Sequence, residues 1–146
     1  MKKHIVCLGD SNTHGYCADP ADCADGGARF NENERWTCLL QKALGEEYLV
    51  LEEGLSGRTT VFTDPLHESM PALDVAYPIL MSHEPVDLLV IMLGTNDAQD
   101  GMHDTEDIQD PYFNMISFEP MFETFYQYII DGVKSANPTP PKCLNL

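Results

Sequence analysis

The chain has 146 residues, 43% of them hydrophobic, with 24 acidic against 8 basic side chains and a formal net charge of −16. That length suits one domain with a real core, and the composition argues against wholesale disorder. So acidic a surface repels phosphate backbones, which argues against a nucleic-acid partner, and no apolar run reaches the length of a membrane span.

The acid collects in two stretches, Asp19 to Glu34 and Asp97 to Asp110, and reads as a solvated surface. Met1-Lys2-Lys3-His4 has a positive start but leaves no room for an apolar targeting segment before Gly9-Asp10, so a cytoplasmic protein is expected. The five cysteines, Cys7, Cys17, Cys23, Cys38 and Cys143, contain no CxxC pair and read as free thiols of a reducing compartment. Cys17 and Cys23 with His14 fit no zinc spacing, so no metal is expected.

In chain order, His4 to Leu8 predicts a short buried strand that a Gly9-Asp10-Ser11 corner ends at once. A polar, glycine-containing loop from Asn12 to Asn33 follows. Trp36, Leu39, Leu40 and Ala43 fall at helical spacing and predict a helix from about Arg35 to Leu44, stopped by Gly45. Tyr48 to Glu52 predicts the second strand, which runs into the turn Gly54-Leu55-Ser56-Gly57-Arg58-Thr59-Thr60. A loop holding Asp64-Pro65 leads to a helix over roughly Pro71 to Ser82. Asp87 to Leu93 is apolar on both faces, as a central parallel strand should be, and ends in Gly94-Thr95-Asn96-Asp97. Ala98 to Ser117 reads as a long acidic loop, Phe118 to Ala136 as a third helix, and Lys142 to Leu146 as the opening of a fourth strand. Strand alternates with helix, and each of the first three strands ends in a polar turn with glycine. That order predicts a single α/β domain over residues 1–146, with a parallel sheet, right-handed crossovers and helices on both faces. The three turns then converge on one edge of the sheet, where such folds place their ligands.

Ser11 alone reads first as a helix cap, a common job for serine. Its place at the carboxyl end of a strand, beside fresh helix N-terminal N–H groups, also suits a nucleophile. Taken together, GDS, GLSGRTT and GTND resemble the SGNH (GDSL-like) hydrolases, serine esterases and acyltransferases on a flavodoxin-like α/β/α sandwich. The segment from Glu34 to Asp97 is most similar to the arylesterase, carbohydrate acetylesterase and acyltransferase branch, and the likeness covers about the first two-thirds of the chain. The resemblance implies that Ser11 is the nucleophile of an acyl transfer and that small acyl esters are the substrates, with no cofactor. It also implies that the Ser11 N–H, the Gly57 N–H and the Asn96 side-chain amide form the oxyanion hole, donors aimed at the charge that develops on the carbonyl oxygen. Members of that branch assemble into oligomers, so a homo-oligomer is compatible with it.

Other residues carry structural readings beside functional ones. Asp10 and Asp97 read as loop braces, Arg58 as a hydrogen-bonding brace or a substrate contact, and Thr59 and Thr60 as holders of the turn. Trp36 reads as core. His14, Tyr16 and Phe30 read either as the lining of an acyl or alcohol pocket or as surface, and Asp10 shares the substrate-contact reading with His14. The family's base is a histidine in a late Asp-x-x-His block, and none is found near the end of this chain. Asp64-Pro65-Leu66-His67 and the pair Asp100 and His103 have that spacing but read as coincidental. The expectation is therefore a C-terminally incomplete or altered member, divergent over 98–146, with the third strand near an open sheet edge. One rival expectation is a chain lacking its general base, non-enzymatic or completed by another polypeptide; a second is an enzyme in which His67 or His103 stands in as the base.

Overall fold

The computed structural model describes residues 1–61, 63, 71–100 and 142–145, with backbone alone for 98–100 and 142–145. Four strands form one sheet: β1 (Lys3–Gly9), β2 (Tyr48–Gly54), β3 (Leu88–Met92) and β4 (Lys142–Asn145). The helices are α1 (Ser11–His14), α2 (Trp36–Leu44), α3 (Ala72–Ser82) and α4 (Thr95–Asp100). Strand order is β2-β1-β3-β4 and every pairing is parallel. The chain steps from β1 to β2 on one side and then crosses to β3 on the other. The switch point therefore falls at the carboxyl ends of β1 and β3, where an open α/β sheet leaves a crevice. β4 lies against β3 in register from Leu88↔Lys142 to Ile91↔Asn145, so the apolar third strand is covered on that side.

Side-chain alternation along the strands builds the layers. Val6, Leu8, Leu89 and Ile91 point to one face and pack against Ala72, Ala76 and Leu80, which fall one turn apart on α3. Ile5, Cys7 and Val90 point to the other, where Trp36 and Leu44 of α2 cover them with Tyr48, Val50 and Leu88. Three α/β/α layers result, and Trp36 packs on the second core as its sequence reading has it. The α2–β2 connection is held by Gln41, whose Nε2 donates to Gly45 O at 3.0 Å and Tyr48 O at 3.2 Å while its Oε1 accepts from Val50 N at 2.8 Å. Gly45 caps α2 at φ 75°, a conformation that favours glycine. No helix among the described residues is long and apolar enough to cross a membrane.

The loop before α2 is pinned to β2 by one carboxylate. Arg35 Nε and Nη2 reach Glu52 Oε1 and Oε2 at 3.0 and 3.3 Å, and Thr37 Oγ1 donates to the same carboxylate. Burial alone pushes Glu52 up, but the hydrogen bonds from Arg35 and Thr37 and the Arg35 charge outweigh it and leave the carboxyl below its usual range. A carboxyl lowered on folding adds stability above its unfolded pKa, about 4.3 for glutamate. That contribution is lost as pH falls through the lower folded value. Urea midpoints measured from neutral to acid pH should therefore drop more steeply for wild type than for Arg35→Met. Parallel curves would remove Glu52 from the acid response.

Candidate functional site

β1 delivers its last residue, Gly9, against the rest of the site. Asp10 follows as the N-cap of α1, its Oδ1 accepting from Asn12 N at 3.0 Å and Asn12 Nδ2 at 3.2 Å. The capping role thus belongs to Asp10, and the Ser11 hydroxyl is not used for it. Ser11 opens the single turn of α1 and is half-buried, while Asp10 and Thr13 are buried. Gly15 closes the turn at φ 85°, donating to Ser11 O at 2.9 Å. The loop expected from Asn12 to Asn33 therefore begins inside a helical turn, one too short to leave a periodic signal.

After β2, Arg58 N donates to Leu55 O at 3.0 Å and closes a four-residue turn. Gly57 holds its third position at φ 80°, the backbone region a type II turn requires there. Leu55 N donates to Gly9 O at 3.2 Å, so the turn is tied to the end of β1. Arg58 is 6% exposed. Its Nη1 donates to Gly9 O at 3.3 Å and Glu53 O at 2.5 Å. Burial lowers its pKa and the nearby Glu53 charge opposes that shift. These contacts are bracing work; of the two readings for Arg58, its described hydrogen bonds all serve the first.

After β3, the segment read as a turn is the first turn of α4. Asn96 Nδ2 donates to Arg58 O at 2.9 Å, leaving its second N–H for another acceptor. Asp97 is fully buried, and its Oδ1 accepts from Thr60 N at 2.8 Å and Thr60 Oγ1 at 2.5 Å. Asp10 N donates to Met92 O at 3.3 Å. The three strand ends are thus stitched pairwise: β1 to the β2 turn by Gly9 O, the β2 turn to α4 by Asn96 and Asp97, and β1 to β3 by Asp10. The turn also caps α3, since Thr59 O and Thr60 O accept from Ala72 N and Leu73 N at 2.9 and 3.0 Å. Asp97→Ala strips the Thr60 N–H and hydroxyl of their acceptor in a buried place, at a cost of about 2 to 4 kcal/mol. Asp97→Asn keeps an acceptor at Oδ1 and should lose less. Urea denaturation of the two variants checks the order.

Ser11, Gly57 and Asn96 therefore lie two to four residues beyond the carboxyl ends of β1, β2 and β3, on the segments where their motifs put them. His14 lies one helical turn beyond Ser11 and is half-buried, with its carbonyl accepting from Arg29 Nε at 2.8 Å. Among the described residues no histidine ring bonds the Ser11 hydroxyl. The His4 ring meets His83 O at 3.0 Å, and His83 Nε2 meets Glu53 Oε1 at 2.5 Å. His67 and His103, with Asp64 and the Asp100 side chain, lie outside the described residues. No group of three metal-ligating side chains occurs among the described residues. Sequence reasoning missed the Asp10 cap and the start of α4. The acid of Asp97 in a first turn was the available signal for the helix.

The chain is similar to several solved esterases. The native aryl esterase of M. smegmatis is 31% identical and superposes with a TM-score of 0.70, over 98% of this chain and 62% of that one. Est24, a carbohydrate acetylesterase from Sinorhizobium meliloti, is 30% identical with a TM-score of 0.72, over 99% of this chain and 63% of its own. A second carbohydrate acetylesterase family member from the same organism is 32% identical with a TM-score of 0.73, over 98% and 61%. This chain thus spans somewhat over three-fifths of the length of these structures. No curated protein sequence matches it. The profile of the GDSL-like Lipase/Acylhydrolase family matches residues 7–143, well past the motifs that first carried the likeness. With Ser11, Gly57 and Asn96 inside that span and gathered at the switch point of a parallel sheet, the chain belongs to the GDSL-like lipase/acylhydrolase family.

Proposed function

We propose that the chain hydrolyses or transfers small, acetyl-like acyl groups through an acyl-enzyme on Ser11. The observation that carries this reading is the convergence of the Ser11, Gly57 and Asn96 motifs on three adjacent strand ends, held there by their own hydrogen bonds. In the proposed reaction Ser11 Oγ attacks the ester carbonyl, the alkoxide leaves with a proton, and water or a second alcohol releases the acyl group. The tetrahedral oxyanion is met by the Ser11 and Gly57 N–H groups and by the free N–H of Asn96. Neither main-chain N–H donates to a turn or loop carbonyl among the described residues. Arg58, Asp10 and Asp97 hold these donors in place, and His14, one turn along α1, is assigned to the substrate side. The M. smegmatis aryl esterase and the S. meliloti acetylesterases support the choice of short acyl esters.

The test is p-nitrophenyl acetate hydrolysis by wild type and Ser11→Ala, with a fluorophosphonate probe applied to both. Turnover and one probe per chain in wild type alone are expected. Equal rates and no labelling would leave a protein with the family's pocket and no turnover of its own.

A further inference from the structure

Away from Ser11, two nucleophilic side chains are buried together in one loop. Cys17 and Cys23 are 3% and 4% exposed and both are free thiols. Their neighbours from Ala18 to Asp22 and from Ala24 to Gly26 are exposed, so the segment that carries the two sulfurs lies at the surface. The loop doubles back on itself. Tyr16 pairs with Arg29 in an antiparallel bridge, and Cys17 N donates to Ala28 O at 3.0 Å. A single turn at Pro20–Asp22, capped by Asp19, reverses the chain, and Cys23 N donates back to Pro20 O at 3.3 Å. Cys17 Sγ donates to Asp19 O at 2.9 Å, and Cys23 Sγ to Arg29 O at 3.2 Å and to the Glu34 carboxylate Oε2 at 3.8 Å, with the Asp22 charge also acting on Cys17. Both sulfurs thus lie inside the same fold of the loop. Burial first, and then the adjacent Cys23 thiol, push the Cys17 thiol above its usual pKa. The other described cysteines are placed elsewhere. Cys7 is within β1 on a buried sheet face, with its pKa pushed up to about 12 by burial and by Glu52. Cys38 is beside Arg35 Nη2 at 3.3 Å and Glu52 at 3.6 Å.

We propose that Cys17 and Cys23 are a redox modification site at which a small-molecule disulfide converts the dithiol into a disulfide within the loop. One cysteine thiolate attacks a sulfur of the small disulfide, whose S–S bond breaks and releases one small thiol. The second cysteine thiolate attacks the resulting mixed disulfide and expels the other. The protein gives up two electrons and the two thiol protons, and the small disulfide takes them up as two thiols. The bond fixes the loop that leaves the helix carrying Ser11. That loop is already fastened to α1 by Phe30 N on Gly15 O and Arg29 Nε on His14 O, each at 2.8 Å. Since the thiolate is the attacking species, oxidation accelerates as pH rises.

The full chain is incubated with oxidised glutathione, quenched in acid, alkylated after unfolding and digested with an Asp-specific protease. The expected product is two hydrogens lighter, links Cys17 to Cys23, and reverts with dithiothreitol. In the native oxidised protein, trypsin cleavage after Arg29 slows several-fold. Cys17→Ser and Cys23→Ser each remove both effects and leave one glutathione on the remaining cysteine. Alkylation of both Cys17 and Cys23 after oxidation overturns the proposal, as does a link from either to Cys38, Cys143 or a second chain. An unchanged cleavage rate in the linked protein overturns the claim that the bond fixes the loop.

Discussion

Ser11→Ala is expected to lower p-nitrophenyl acetate turnover by at least about a thousandfold, with little change in stability. A serine hydroxyl becomes a competent nucleophile only when a base takes its proton, so nucleophile and base act as one unit and their losses do not add. The size of the Ser11→Ala effect therefore reports on the base as well. A chain with a working base loses the full factor. A chain without one already runs at the rate that oxyanion donors and binding supply, and Ser11→Ala changes almost nothing. Asn96→Ala separates the two further. In the proposed reaction it removes one oxyanion donor, worth about 3 kcal/mol of barrier, and should then appear in kcat rather than KM. It also removes the bond to Arg58 O, so its melting temperature must be read beside its kinetics. A fall in stability with kcat unchanged would make Asn96 a fastener of the turn and nothing more.

Much of this arrangement was legible in the residues, for identifiable reasons. Ile5-Val6-Cys7-Leu8 and Leu88-Leu89-Val90-Ile91 are short apolar runs that open after a polar residue and reach a glycine within three residues of their end, and a strand buried on both faces has few other ways to be written. The observed strands overrun the predicted ones by one or two residues at β1 and β2, up to the glycines that end them. The motifs placed Ser11, Gly57 and Asn96 because each rides on a strand end, and the sheet order does the rest. What stayed hidden depends on partners far along the chain. Thr95 to Asp100 carries no apolar stripe. Its first turn is anchored by Asp97 on Thr60, 37 residues away, which no local window reports. The choice between Ser11 and Asp10 as the cap of α1 was hidden for a different reason, since either side chain suits the position. The backbone bend at Asp10, φ −98° and ψ −146°, and the bond its carboxylate accepts from Asn12 N decide it.

The largest loss of stability is expected from Gly54→Ala, a methyl group on the last residue of β2. A Cβ there would stand 2.2 Å from His14 N and 2.4 Å from Thr13 C, both main-chain atoms of α1. Neither can rotate away, so the helix must shift bodily or the strand end must open. Overpacking of this kind costs about 1 to 3 kcal/mol and sometimes more, and with backbone on both sides Gly54→Ala belongs at about 3 or above. Gly9→Ala is the informative comparison. Its Cβ would meet Thr13 Oγ1 at 2.1 Å and Thr13 Cβ at 2.6 Å, with Met92 O at 3.0 Å. The first two contacts belong to a side chain, and that hydroxyl is buried with no partner among the described residues. Thr13→Ala therefore relieves part of the Gly9→Ala clash and none of the Gly54→Ala clash. In double-mutant cycles read by urea denaturation, Gly9 and Thr13 should couple by about 1 kcal/mol or more, whereas Gly54 and Thr13 should add. Equal coupling in both cycles would mean that α1 moves freely and that the glycines are there for another reason. Strong coupling at Gly9 alone would mean that α1 is seated directly on the ends of β1 and β2. The position of Ser11 is then set by the absence of two side chains as much as by any bond.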